Sequence, residues 1–449
     1  MSESSVTFYR VVQLALPAAA ASAATPLLGL IDAWALGRSA DPLQVGAVGL
    51  AAAIFSALYW TSGFLRISAA ALVARAAGAG DEPQTRAILV RTLGLGALFG
   101  LILLAARPLL EPAAFTLLRT GSAASEETFV AAQEYFRIRL WAAPAALAAY
   151  AATGWLTGRG RTAVVMFATL AMTILNAALD WYFVAIKNQG AAGVAKGTQI
   201  AEIVGLFLMG LGILFVLSRD GLGRHWHRAF HLDRADMIEL FTMNRDIFIR
   251  TFLLVAVFAF FTQQSSGWGD VTLAANQILV QLLLLTGLAL DGPAIAAESL
   301  VGRAVARSDR ANYRRIFRYA AYASALAAAP FALAYGVFQS SIVDFMTTDP
   351  AIKEATRTFI PWVALSPIVV AVCFLLDGIF IGAGRSQQMR DGMIVSIFVY
   401  LIAWYGLTAA FGAHGHWAAF LVFFAVRGGT LVAWLPRVEA LFDSPSPSR

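Results

Sequence analysis

Charge is what this 449-residue chain lacks: 13% of its residues are Asp, Glu, Lys or Arg, against 59% apolar. A water-soluble chain covers its surface with roughly 25% charged residues, so much of this surface does not face water. Cysteine is missing except for Cys373, which excludes an internal disulfide and a thiolate metal cage. No G-x-x-x-x-G-K-[ST] phosphate loop occurs, which excludes ATP-driven work by this chain. A metalloprotease helix motif and a G-x-S-x-G elbow are missing too, so no enzyme is expected. The net charge of +6 comes from short basic clusters between apolar runs, not from a basic stripe, so nucleic acid is not an expected partner.

What the chain has is apolar runs. Twelve recur, at roughly 11–36, 44–74, 87–106, 130–157, 163–186, 193–217, 246–266, 271–302, 314–338, 356–381, 390–411 and 415–435. Each is near the ~20 residues that a hydrocarbon core of ~30 Å requires. Water is absent there, so each must close its backbone hydrogen bonds internally as a helix. The fold class is an all-α integral membrane protein of twelve transmembrane helices. The first run outlasts a signal-peptide core and follows a single cation, Arg10, so it reads as an uncleaved span. With the N-terminus inside, basic residues favour the inner loops about three to one; Arg38, Arg107, Arg119, Lys187, Lys196, Lys353 and Arg357 fall outside. A multi-pass protein of the inner (plasma) membrane with both termini cytoplasmic is expected, surrounded by lipid and monomeric.

The longest polar stretch, Ser218 to about Asn244, falls at the midpoint and carries His225, His227 and His231, which read as a solvated linker rather than a metal site. The division is therefore 1–217 for an N-terminal lobe, 218–243 for a cytoplasmic linker and 244–449 for a C-terminal lobe. The halves look like copies. An offset of 228 lays Gln44–Asp81 on Thr272–Asp309, and an offset of 224 lays Gly154, Gly158, Gly160 and Arg161 on Gly378, Gly382, Gly384 and Arg385. Six spans is an even number, so the copies keep one orientation: two pseudo-symmetric six-helix lobes, an arrangement typical of alternating-access transporters.

Acids inside apolar runs need a partner, a wet cavity or a proton, because a charge at a helix centre costs ~2.5–3.5 kcal/mol on insertion scales. Asp32 lies in the first span, six residues after Pro26, which removes a backbone donor and is expected to bend the helix. Asp180 lies in the fifth span, with Asn176 four residues earlier on the same face, and Thr198 adds a hydroxyl in the sixth. These four could hold H⁺ or a hard cation such as Na⁺; no other cofactor is expected. Two nearby carboxylates in low dielectric cannot both ionise easily, so one takes up a proton at working pH. A second tier comprises Asp291 and Glu298, seven apart around Pro293, together with Asp377 and the cations Arg66 and Arg250. Asn244-Arg245-Asp246 marks the cytoplasmic mouth of the seventh span.

L-A-L-P (14–17), T-P-L-L-G-L-I-D (25–32), F-L-R-I-S (64–68), N-A-A-L-D (176–180), N-R-D-I-F-I-R (244–250), A-L-D-G (289–292) and L-L-D-G-I-F-I-G-A-G-R (375–385) follow one another in order across the chain. Together they resemble the multidrug and toxic compound extrusion (MATE) transporters, in their DinF-type branch. The resemblance implies export of amphipathic, often cationic, organic compounds in exchange for H⁺ or Na⁺. It places the coupling site on Asp32, Asn176, Asp180 and Thr198, and keeps Asp377 as the second-lobe alternative. Lys196 departs from the family pattern, which has an apolar residue there. Two residues along a helix is about 200° of rotation, so it is expected to face elsewhere and snorkel outward; turned inward, it would hold Asp180 ionised. The reading is an H⁺-coupled exporter of small organic molecules. The alternatives are Na⁺ coupling and flipping of a lipid-linked precursor.

Overall fold

The computed structural model describes residues 5–37, 42–119, 124–219, 226 and 233–443. Described residues in regular structure are helical, in fifteen α-helices with a few short turns. Those before the midpoint are α1 (Phe8–Gly37), α2 (Pro42–Thr61), α3 (Phe64–Gly78), α4 (Glu82–Ala105), α5 (Arg107–Arg119), α6 (Glu126–Leu140), α7 (Ala143–Gly158), α8 (Thr162–Asp180) and α9 (Gly190–Arg219). After it come α10 (Arg234–Ser265), α11 (Asp270–Ala306), α12 (Arg310–Val337), α13 (Gln339–Met346), α14 (Pro350–Gly382) and α15 (Ser386–Glu439).

Each apolar run of the sequence is occupied by helix. Among the described residues, nine helical runs are long and apolar enough to cross a membrane by length and composition. One of these is two helices joined at Gly412, whose φ of 54° and ψ of −131° no helix accommodates. The 30-residue α1 and the consecutive α6 and α7 fill the remaining runs. α6 stops before Pro144, which occupies the first turn of α7, where its missing N–H costs nothing. α1 stays helical through both Pro17 and Pro26. Two elements were not anticipated, the short α5 and α13, which follow the third and ninth runs. α10 begins at Arg234, inside the stretch read as linker. His225, His227 and His231 lie outside the described residues.

The chain forms two compact units. The first is Ala20–Asp236; the second is Met237–Arg449 together with Met1–Ala19. Inside the first, a Cβ on Gly154 would lie 2.2 Å from the carbonyl oxygen of Arg66, and one on Gly158 would lie 2.6 Å from that of Ala70, so α7 meets α3 backbone to backbone. Inside the second, Gly378 and Gly382 of α14 stand at 2.2 and 2.4 Å, measured the same way, from the carbonyl oxygens of Ala294 and Glu298 on α11. Small residues permit such approach where no hydrophobic drive pulls helices together. The capping repeats too. Asp81 accepts from the Gln84 N–H, and Asp309 from the Asn312 N–H, each at 2.9 Å. Each unit has its own apolar core, around Phe55, Phe115, Tyr135 and Phe136 in the first and around Phe261, Trp417, Phe420 and Phe424 in the second.

Candidate functional site

The first unit brings together all four residues read as a coupling site. Asp32 of α1, Asn176 and Asp180 of α8, and Thr198 of α9 are buried, none more than 4% exposed. Asp32 and Asp180 lie within reach of each other, and both reach Asn176. The hydrogen-bond directions are informative. Thr198 donates its hydroxyl to the Val194 carbonyl at 3.0 Å and accepts from Asn176 Nδ2 at 3.2 Å. The Asn176 amide spends one of its two N–H donors on Thr198, and its Oδ1 has no partner. Asp32 Oδ1 and both carboxylate oxygens of Asp180 are likewise buried without a hydrogen-bond donor. The centre holds more buried acceptors than donors, which is costly in a low dielectric unless protons or a cation occupy it.

Local structure makes room for this. A Cβ at position 197 would lie 2.3 Å from Asp180 Oδ1, so Gly197 is what admits the carboxylate between α8 and α9. Directly after Asp180 the chain widens into a π-helical turn over Trp181–Ile186, closed by Lys187 N–H to the Tyr182 carbonyl at 3.1 Å. Such turns are one residue in excess of the α-helix and are frequent at functional sites. Lys196 turns away: its ammonium donates to Gln189 Oε1 at 3.0 Å.

One turn beyond Thr198 stands an ion pair that sequence reasoning did not single out. Arg139 of α6 donates to Glu202 Oε1 at 2.9 Å and to the Tyr135 hydroxyl at 3.1 Å. Tyr59 donates to Glu202 Oε2 at 3.4 Å, and the guanidinium lies 4.6 Å from the Phe55 ring centroid. Arg139 is also near enough to act on both Asp32 and Asp180. The available signal was two opposite charges inside the apolar runs 130–157 and 193–217.

The second-tier residues divide. In the second unit, Asp377 of α14 accepts from Arg250 of α10, one of the two cations singled out in the sequence, and also from Arg427 of α15, which was not singled out. Asp291 and Glu298 both sit on α11 around Pro293, Glu298 buried and Asp291 half-buried. Arg66 belongs to the first unit, near Tyr150, not to the unit that holds those acids. Asp246 is buried and accepts from Arg245, from Arg390 at 2.7 Å and from Ser386 at 3.3 Å, tying α10 to the start of α15. No cluster of three or more His, Cys, Asp or Glu suited to a metal occurs among the described residues.

Comparison with known proteins agrees with this architecture. The MatE family model matches residues 17–182 and 247–405. DNA damage-inducible protein F of Escherichia coli is 31% identical over 94% of this chain and 90% of its own length. A probable multidrug resistance protein NorM of Synechococcus is 24% identical over 93% and 91%. The crystal structure of the Vibrio cholerae MATE transporter VcmN in the bent form superposes with a TM-score of 0.85 at 19% identity, covering 97% of each chain. The chain is a multi-pass membrane protein and belongs to the MatE family, the multidrug and toxic compound extrusion transporters.

Proposed function

We propose that this chain exports amphipathic or cationic organic compounds in exchange for H⁺ by alternating access, with Asp32, Asn176, Asp180 and Thr198 as the coupling site. The observation that carries this reading is the surplus of buried acceptors. Three of the four carboxylate oxygens of Asp32 and Asp180, and the Asn176 amide oxygen, lack donors; their burial is costly until something positive arrives, and a proton is the smallest such species. From an acidic outer side, protonation removes the cost of the buried charges. From the inner side, deprotonation restores a negative site that attracts a cationic compound. Both termini are cytoplasmic in this scheme, and the protein works as a monomer.

Binding and protonation compete on this mechanism. Affinity for a cationic dye falls as pH is lowered, and Asp32→Asn flattens the profile. A pH-independent affinity in the parent would place the coupling acid elsewhere. The decisive measurement is transport in proteoliposomes under an imposed ΔpH or ΔNa⁺. Na⁺ is the second reading, because the same oxygens are suitable ligands for a hard cation. Export driven by ΔNa⁺ at zero ΔpH would select it.

A further inference from the structure

Three charges meet in the second unit. Arg250 of α10 and Arg427 of α15 both donate to one oxygen, Oδ2, of Asp377 on α14. All three lie within runs read as spans, where an uncompensated charge is expensive. One carboxylate offsets one guanidinium. The groups that act most strongly on Arg250 are Asp377 and Arg427, with the Cys373 thiol beside them. That thiol donates to the Phe424 carbonyl at 3.0 Å and is neutral. One positive charge is therefore left over within the cluster.

The geometry also leaves a donor over. Arg250 uses Nη2 on Asp377, while Nε–H, on the same edge of the guanidinium, is buried without a partner among the described residues. The edge that binds a carboxylate or phosphate bidentately is half-filled. The cluster is deep but reachable, with Arg250 and Asp377 side chains 12% and 11% exposed and Arg427 4%. Behind it lies the buried aromatic core of the unit: Phe424 and Phe420 precede Arg427 by one and two turns, and Phe258 packs edge-on against both.

We infer that Arg250 and Arg427 form a seat for one anionic group of the transported compound, a carboxylate or sulfonate attached to an aromatic or broad apolar body. This deepens the export reading and rests on it: substrates include apolar acids and zwitterions besides cations. Asp377 is the resident competitor for the seat. It holds the guanidinium groups in place when no substrate is bound and weakens binding of the incoming anion.

The test is equilibrium binding of two near-isosteric probes of opposite charge, 2-naphthoate and 2-naphthylmethylammonium, to the purified full-length chain. The parent is expected to bind naphthoate with a preference that Arg427→Gln reduces about tenfold, the scale of one lost charge-assisted contact. Asp377→Asn removes the competitor, creates no unpaired buried acid, and is expected to tighten naphthoate binding several-fold. Equal affinity of the parent for both probes, or an unchanged naphthoate affinity in Asp377→Asn, overturns the inference. Proteoliposome export of the ammonium probe under ΔpH separates the two readings. Export without naphthoate binding sinks the anionic seat alone, and naphthoate binding without export sinks the proton-exchange reading alone.

Discussion

The two units share one scaffold and hold opposite charges within it. In both, a pair of glycines four residues apart lets one helix touch the backbone of another, at matching positions: Gly154 and Gly158 on Arg66 and Ala70, Gly378 and Gly382 on Ala294 and Glu298. In both, the motif's last glycine has a left-handed backbone, with φ of 66° at Gly160 and 70° at Gly384. Yet the residue before the first glycine is Thr153 in one copy and Asp377 in the other. The first unit gathers buried acceptors in excess of donors; the second gathers two guanidinium groups on one acid. Backbone contact tolerates no side chain and so preserves the seam in both copies. Positions one residue away carry no such constraint, and there the chemistry has parted.

The largest effect that would break this contrast is loss of the first unit's charge. Asp32→Asn keeps the shape and removes a titratable group, so ΔpH-driven export should fall by about 100-fold or more while the protein still inserts. Asp180→Asn should match it. Full activity in Asp32→Asn would move coupling to the second unit, with Asp377 and Asp291 next in line.

A substitution in the seam tests the shared half of the comparison. Gly158→Val and Gly382→Val each drive a branched side chain into a carbonyl, at a cost of about 1–3 kcal/mol or more. Denaturation midpoints in detergent should fall by similar amounts for the two. A large drop in one alone would mean that the seams are not equivalent.

Gly197→Ala sharpens the picture of the acceptor centre. Its methyl would meet Asp180 Oδ1, the end of a side chain that can swing aside, so transport should suffer about tenfold while stability changes by less than ~1 kcal/mol. Asn176→Ala should be of similar or smaller effect, since it removes an acceptor and leaves both acids. Transport assays paired with thermal denaturation separate these outcomes; an unperturbed Gly197→Ala transporter would mean that Asp180 need not hold this position.

The smallest effect is expected at matched ion pairs near α5 and α13. Arg119 grips Glu126 with two hydrogen bonds, at 2.5 and 2.7 Å, and Lys353 and Arg357 hold Asp344 at 3.0 and 2.9 Å. Hydrogen bonds from Arg119 and from Lys353 keep Glu126 and Asp344 below the usual carboxylate range. A depressed carboxylate contributes stability above its ordinary pKa and loses it as pH falls through the lowered value, here below about pH 4. These groups face solvent, so Arg119→Gln and Arg357→Gln should leave the melting temperature at pH 7 unchanged within error. A clear drop for either would reveal a structural role for that surface.

The spans were legible because the membrane imposes one length and one hydropathy on each, and the repeat was legible because glycines and an arginine recur at a nearly fixed offset. α5 and α13 were not, being too short to show as apolar runs. Asp32, Asn176, Asp180 and Thr198 stood out as polar residues in apolar surroundings. Arg139 and Glu202 have the same property, but 63 residues separate the partners and no local spacing announces the pair. Arg427 is harder still, because its partner Asp377 lies on another helix and already has Arg250. What turns Lys196 aside is a hydrogen bond to Gln189, seven residues away and across a helix start.

The acceptor centre near Asp180 has an electrical side. Its charge is two negative, one negative or zero according to how many protons sit on Asp32 and Asp180. An elementary charge moved through the full membrane field gains or loses ~2.3 kcal/mol per 100 mV. If protons reach the centre across even part of that field, voltage fills it as acidity does. An exporter that exchanges two protons, one on each acid, for one monovalent cation moves one net charge inward per cycle. It draws on both components of the proton-motive force, and a membrane held at zero ΔpH but negative inside would still drive it.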